Sequence, residues 1–264
     1  MNKEAKRSIL LIRNRKDEFL GLGFVLASTK EGTYILTASH VIKYPEKENV
    51  QGNQKLKIEG NEEVEVLCEG DSCLNDIAVL FIKKLIHYPS LQLYPDKKLL
   101  LNGTKYTLLG YSFKEDRSNA YTQTEVRGKI EEQVTLSSNN REVFVYEVET
   151  RFMNEIDRGY SGTAVFLDDT NIVIGILSSK REDSQLAYVI PIQHLKEVWN
   201  SKENWNDVSK WREMPSEWFL SDNLGDVIKE KFISNYSPSS RGINFSIVFS
   251  LIGILFFLIY DKLD

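Results

Sequence analysis

Three residues far apart along the chain carry side chains that could share one reaction: His40, Asp76 and Ser161. An imidazole can serve as general base, a carboxylate can orient it, and a hydroxyl can attack a carbonyl carbon. The chain has three histidines, His40, His87 and His194. A lone histidine is most often structural, so context has to choose among them. His40 sits in residues 34–42 (YILTASHVI), an apolar run that ends in small residues just before the imidazole. That layout puts the ring at a strand end with room for a partner. Asp76 directly heads the apolar run 77–80 (IAVL) and is therefore expected to be partly buried. A buried carboxylate needs a partner, and an imidazole N–H is a suitable one. Ser161 lies in Gly159-Tyr160-Ser161-Gly162. Flanking glycines let the chain turn sharply and bring N–H groups outward. Those N–H groups can form an oxyanion hole, and losing one donor from such a hole costs roughly 10²–10³ in kcat. Each fragment alone is weak, because serines in glycine-rich turns and acids at strand starts are common. The three together are far more specific.

The elements that must hold these groups read as strands. From about residue 8 to 193, short runs rich in Val, Ile, Leu, Tyr and Phe alternate with turn-forming clusters such as 30–32 (KEG), 138–140 (SNN) and 168–171 (DDTN). Many short strands with turns between them predict an all-β sandwich or barrel pair. After Pro191 the character changes. Residues 192–200 look helical, and Trp199, Trp205, Trp211 and Trp218 are spread through a polar stretch. Tryptophans spaced in this way serve more often as packing anchors than as a binding box.

Several short motifs lie in register with one family. Residues 21–26 (GLGFVL) resemble the GxGF strand of trypsin-like serine peptidases, 35–41 (ILTASHV) their LTAxHV motif, 75–80 (NDIAVL) their DIAVL motif and 159–162 (GYSG) their GxSG motif. Residues 108–111 (LLGY) and 187–192 (AYVIPI) resemble the bacterial, Deg-like branch. The order His, Asp, Ser is that of chymotrypsin-type enzymes. The resemblance spans roughly residues 8–195. It implies two six-stranded antiparallel β-barrels, the first over about 8–95 and the second over about 100–195, with the active site in the cleft between them. It also implies Ser161 as nucleophile, His40 as base and acid, Asp76 as the residue fixing the tautomer of His40, the backbone N–H groups of Gly159 and Ser161 as the oxyanion hole, and residues 176–179 (Ile176, Leu177, Ser178, Ser179) as a strand pairing with substrate backbone. Glu155, six residues before Ser161, stands near the place where some members carry a specificity acid. Secreted members carry an Asp directly before the nucleophile for zymogen activation; here Tyr160 occupies that position, so that route is absent. Thr163 and Ala164 stand where the family usually has Gly and Pro, which puts extra bulk near the oxyanion turn. The expected reaction is hydrolysis of a protein or peptide substrate through an acyl-enzyme.

Beyond about residue 196 a helical, tryptophan-containing connector is expected to residue 242. An uncharged apolar stretch follows at 243–260. At ~1.5 Å per residue its 18 residues reach about 27 Å, close to a bilayer core. A transmembrane helix is expected there. Lys229, Lys231 and Arg241 before it, against Lys262 after it, place the preceding domain on the cytoplasmic side. This suggests a C-terminal anchor with no secretory signal ahead of it, and an activating partner fits that layout. Two other readings are a catalytically inert peptidase-like binding module and a membrane effector gated by the barrels.

Composition excludes several classes. The 264 residues are 42% hydrophobic and 27% charged, enough for a sizeable core. The net charge of -5 and the lack of a Lys/Arg cluster argue against a nucleic-acid partner. Two cysteines, Cys68 and Cys73, form no zinc-site spacing with histidine, so neither metal nor other cofactor is expected. Without a secretory signal, both are read as reduced thiols.

Overall fold

The computed structural model describes residues 3–43, 56–58, 64–83, 88–95, 100–113, 121–138, 140–150, 156, 159–180 and 186–219. Glu155 and the 243–260 stretch fall outside the described residues, and no helix among those described is long and apolar enough to cross a membrane. The two sheets belong to one compact unit, residues 1–222.

A short helix α1 (Lys3–Arg7) leads into the first sheet. Its strands are β1 (Ile9–Arg13), β2 (Phe19–Ser28), β3 (Thr33–Thr37), β4 (Lys57–Ile58), β5 (Val64–Glu69) and β6 (Ala78–Ile82). They lie in the order β4-β1-β2-β3-β6-β5. β3 pairs with β6, with Thr37 opposite Ala78 and Thr33 opposite Ile82. Every residue of β3 is buried, which explains its continuous apolar character in place of a period-two alternation.

The second sheet holds β7 (Gln92–Leu93), β8 (Lys105–Phe113), β9 (Tyr121–Ser138), β10 (Arg141–Thr150), β11 (Ala164–Leu167), β12 (Ile172–Lys180) and β13 (Leu186–Pro191). Their order is β11-β8-β9-β10-β13-β12-β7, and β11 also pairs with β12, which closes β8 to β13 into a six-stranded barrel. β9 and β10 form a long hairpin around Asn140, whose φ of 61° is a left-handed value that asparagine tolerates.

The chain is thus mostly β, with two barrel-like sheets, as the alternation of short apolar runs and turns predicts. One element departs from the expected antiparallel pairs. β7 comes from the segment between the barrels and pairs parallel with β12. That segment joins the two halves: Pro89 O accepts from Ser8 Oγ at 2.6 Å, Leu91 N donates to Val25 O at 3.2 Å, and Tyr94 N donates to Val173 O at 2.8 Å. A crossover strand laid on an open edge satisfies main-chain groups that would otherwise be buried unpaired.

Helix α3 (His194–Asn200) follows the second barrel, and three short 3₁₀ turns carry the chain back over the first. Trp199 is fully buried, and its ring lies against Trp205, Trp218 and Tyr34. The Trp205 indole N–H donates to Trp199 O at 2.6 Å, and Asn206 N donates to Leu67 O of β5 at 3.1 Å. These tryptophans are packing anchors against β3 and β5, as their spacing suggests.

Candidate active site

His40 stands on α2 (Ser39–Lys43), a single turn that follows β3 directly. The small residues Ala38 and Ser39 are both fully buried, so the helix can press close to the sheet. The Ser39 hydroxyl donates to Ile77 O at 2.7 Å and pins the helix to the start of β6. Asp76 lies just before that strand and is fully buried. Its Oδ1 accepts the backbone N–H of His40 at 2.9 Å, and its Oδ2 lies 2.6 Å from His40 Nδ1. The imidazole is therefore fixed at its backbone and at one ring nitrogen. His40 keeps 35% of its side-chain surface exposed.

Ser161 sits in a tight turn of the second barrel. Gly159 has φ 96° and Gly162 φ 86°, both left-handed values at which a side chain is strained. Space also demands glycine. A Cβ at Gly162 would fall 2.0 Å from Leu22 O, and one at Gly159 would fall 2.3 Å from the Phe19 ring. The turn is held from both barrels. Leu22 N of β2 donates to Ser161 O at 2.8 Å, Gly162 N donates to Leu177 O at 2.8 Å, and Thr163 N closes the turn onto Tyr160 O at 3.1 Å. The backbone N–H groups of Gly159 and Ser161 have no acceptor among the described residues, as an oxyanion hole requires.

The Ser161 hydroxyl donates to Ser178 O at 2.8 Å. In this rest position it does not donate to His40. Ser178 contributes twice. Its own hydroxyl donates to Asp76 Oδ2 at 2.6 Å across the two barrels. Asp76 thus receives three hydrogen bonds, enough to keep a buried carboxylate satisfied without a full counter-charge.

Ser178 lies on the stretch read from sequence as pairing with substrate backbone, and its side chain turns inward to Asp76. The β12–β13 register shifts between Leu177 and Ser179, and this bulge at Ser178 re-aims the side chain. Ile176 and Leu177 are likewise buried, and their main chains are taken up inside the barrel, Ile176 between Ala164 and Ile190 and Leu177 by Gly162 N and Thr163 O, whereas Ser179 is exposed. Hydrophobic pattern carries no signal for a bulge, which is why Ser178's bond to Asp76 is invisible in the sequence. The two departures around the nucleophile also find places. Tyr160 is 2% exposed and lies over Gly110, where an added Cβ would fall 1.6 Å from its ring. Thr163 points its hydroxyl into the barrel, donating to Leu109 O at 2.5 Å, so its bulk leaves the turn's outer side clear. Among the described residues no group of His, Cys, Asp or Glu could hold a metal ion.

Comparison with known proteins agrees with this arrangement. The model of the trypsin-like peptidase domain matches residues 21–176. Among curated protein sequences, none matches the chain. Among solved structures, the Rv3671c protease from M. tuberculosis in its active form is similar over 80% of this chain and 85% of that one, at 18% identity and a TM-score of 0.51. The HtrA-type protease AlgW with a tripeptide is similar at 21% identity and a TM-score of 0.54, covering 75% of this chain and 61% of that one. AlgW with a decapeptide gives 18% identity and a TM-score of 0.55, over 76% of this chain and 64% of that one. The chain therefore spans less than two thirds of AlgW's length. At these identities the likeness bears on the fold.

Proposed function

The chain belongs to the trypsin-like peptidase family, and on that premise we propose that it is a serine endopeptidase working through an acyl-enzyme, with Ser161, His40 and Asp76 as its catalytic set. The observation that carries this reading is the 2.6 Å contact of His40 Nδ1 with a fully buried Asp76. That contact leaves His40 Nε2 as the proton acceptor. On substrate binding the Ser161 hydroxyl swings from Ser178 O to Nε2, loses its proton there and attacks the peptide carbonyl. The N–H groups of Gly159 and Ser161 hold the oxygen that becomes negative. His40 then passes the proton to the leaving amine, and a water molecule repeats the sequence to release the acid. Asp76 holds the imidazole in the working tautomer and stabilises the imidazolium.

Fluorophosphonate labelling of the purified protein tests this. Wild-type chain labels at Ser161, and Ser161→Ala abolishes both labelling and peptide cleavage while circular dichroism stays unchanged. A wild-type protein that never labels sinks the proposal.

We further propose that residues 243–260 anchor the enzyme in a membrane with the barrels on the cytoplasmic side. The uncharged length of that stretch and the Lys229, Lys231 and Arg241 that precede it support this. Expressed in cells, the chain sediments with membranes and withstands carbonate extraction, and deleting residues 243–264 releases it. If the intact chain stays in the soluble fraction, the anchor is wrong.

A further inference from the structure

We propose that a polar cavity where the two barrels meet helix α3 is a second binding site, which takes a Lys/Arg-rich peptide segment. The inference does not depend on the peptidase reading, because it concerns residues outside the catalytic set.

The cavity has a volume of about 870 Å³, and both barrels build it. Lys43 at the end of α2, Glu69 at the end of β5 and Asp71, Leu74 and Asn75 in the turn after β5 come from the first. Arg141, Glu142 and Val143 at the start of β10 come from the second. Glu197 on α3 and Glu203, Asn204 and Asn206 after it complete the wall. His40, Asp76 and Ser161 do not line it, and neither does any described residue of β12. The site is thus apart from the catalytic cleft. It still touches the segments that hold the acid and the base: Asn75 directly precedes Asp76, and Lys43 closes the helix that carries His40.

The walls are held in place by the protein's own bonds. Asn75 Oδ1 accepts from Asp71 N at 2.8 Å, and Asp71 Oδ1 accepts from Cys73 N at 2.8 Å. The side-chain amides of Asn204 and Asn206 donate to Val198 O and Val66 O, each at 3.1 Å. Buried His194 lies 3.0 Å from Glu197 Oε2, and that hydrogen bond holds the Glu197 carboxyl below the usual carboxylate range. A wall already ordered leaves less entropy to be lost on binding.

The chemistry of the lining selects the occupant. Pockets of roughly 300–1,000 Å³ that take small molecules are mostly apolar. Here Leu74 and Val143 are the only apolar side chains among the described lining residues. Five carboxylates, Glu69, Asp71, Glu142, Glu197 and Glu203, stand against two cations, Lys43 and Arg141. The wall therefore carries a net charge of -3, against -5 for the whole chain. The acids are spread over separate elements, and among the described residues no group of them could hold a metal ion. Charge distributed through a space of this size is matched by several positive groups carried on one chain, which Lys and Arg stems on an extended peptide supply. Glu142 and Glu203 are exposed and make no ion pair among the described residues, so their charge is available to such a partner.

Fluorescein-labelled Gly-Lys-Gly-Lys-Gly-Lys, beside the same peptide with Ser or Glu in place of Lys, tests the site by fluorescence anisotropy. The receptor is the full-length Ser161→Ala chain in nonionic detergent, which cannot cleave the probe. Salt of about 50 mM keeps screening weak. The Lys peptide is expected to bind and the other two are not. The Glu142→Lys/Glu203→Lys double variant is expected to weaken binding by at least about 10-fold. Glu31→Lys/Glu217→Lys makes an equal change of net charge at exposed acids that do not line the cavity, and is expected to weaken it by less than about 2-fold. Arg141→Gln removes a cation from the wall and is expected to tighten binding by about 3-fold, a gain that misfolding cannot produce. The proposal is overturned if no probe binds, if the Ser peptide binds as well as the Lys peptide, if the two double variants weaken binding equally, or if Arg141→Gln fails to tighten it. None of these outcomes bears on labelling of Ser161, which decides the peptidase reading by itself.

Discussion

The Ser178 hydroxyl donates to Asp76 Oδ2 at 2.6 Å, so a strand of the second barrel completes the surroundings of an acid that heads a strand of the first. Asp76 has no exposed surface, and among the described residues its only charge-matching group is the imidazole. The donors from the His40 backbone and Ser178 satisfy its oxygens beside the imidazole.

Ser178→Ala removes one of those donors and leaves a buried carboxylate short of a partner. It is expected to lower stability by about 1.5–3 kcal/mol, the range for hydrogen bonds to charged groups. Urea denaturation of catalytically inert Ser161→Ala and its Ser178→Ala double variant gives the difference without self-cleavage. A change within experimental error would mean the bond contributes nothing.

Asp76→Asn keeps shape and loses charge. An amide has one acceptor oxygen for three donors, and its NH₂ faces His40 Nδ1 as a donor. The imidazole is then held in the wrong tautomer. A fall of about 10⁴-fold in kcat is expected, as the general template for such triads gives. Steady-state kinetics on any cleavable peptide checks it.

Gly110 and Tyr160 should be energetically coupled. Gly110→Ala puts a methyl where the Tyr160 ring lies and is expected to cost about 1–3 kcal/mol by overpacking, with loss of activity as the nucleophile turn shifts. In a Tyr160→Ala background the same methyl has space and costs little. A double-mutant cycle with no interaction energy would contradict the contact.

The two cysteines should differ sharply in reactivity. Both are free; Cys73 is exposed and Cys68 buried. Burial, and after it the neighbouring Glu69 carboxylate, push the Cys68 thiol up to about 12 from an ordinary 9.0. Native protein at pH 8 is expected to show one thiol reacting with Ellman's reagent and a second only after denaturation. Because the folded value is raised, the contribution to stability is complete below about pH 9 and is lost as pH climbs toward about 12. Cys68→Ala flattens that alkaline limb by at most about 1.4 kcal/mol per pH unit. Denaturant titrations between those pH values measure it.

The sequence announces much of the centre because each catalytic group adjoins an apolar run or a glycine pair whose local conformation is strongly constrained. His40 follows the all-buried strand β3, Asp76 precedes β6, and Gly159 and Gly162 adopt the positive φ values their placement around Ser161 suggests. The barrels are legible for the same reason. What escapes notice depends on register between distant segments. The bulge that turns Ser178 toward Asp76 and the parallel seat of β7 on β12 are both set by pairing partners. The tryptophans are legible as anchors by type, whereas their seat against Tyr34 and β5 is not.

The bond from Leu22 to the carbonyl of Ser161 also bears on how the molecule could be divided. A fragment carrying only residues beyond 100 has the hydroxyl but not the amide that braces its turn. A fragment carrying only those before 95 has the base but nothing to deprotonate. Neither piece is a weak version of the whole. Co-expressed halves should stay silent until they find each other, and turnover recovered on mixing would report that reunion, with no background from the separate parts.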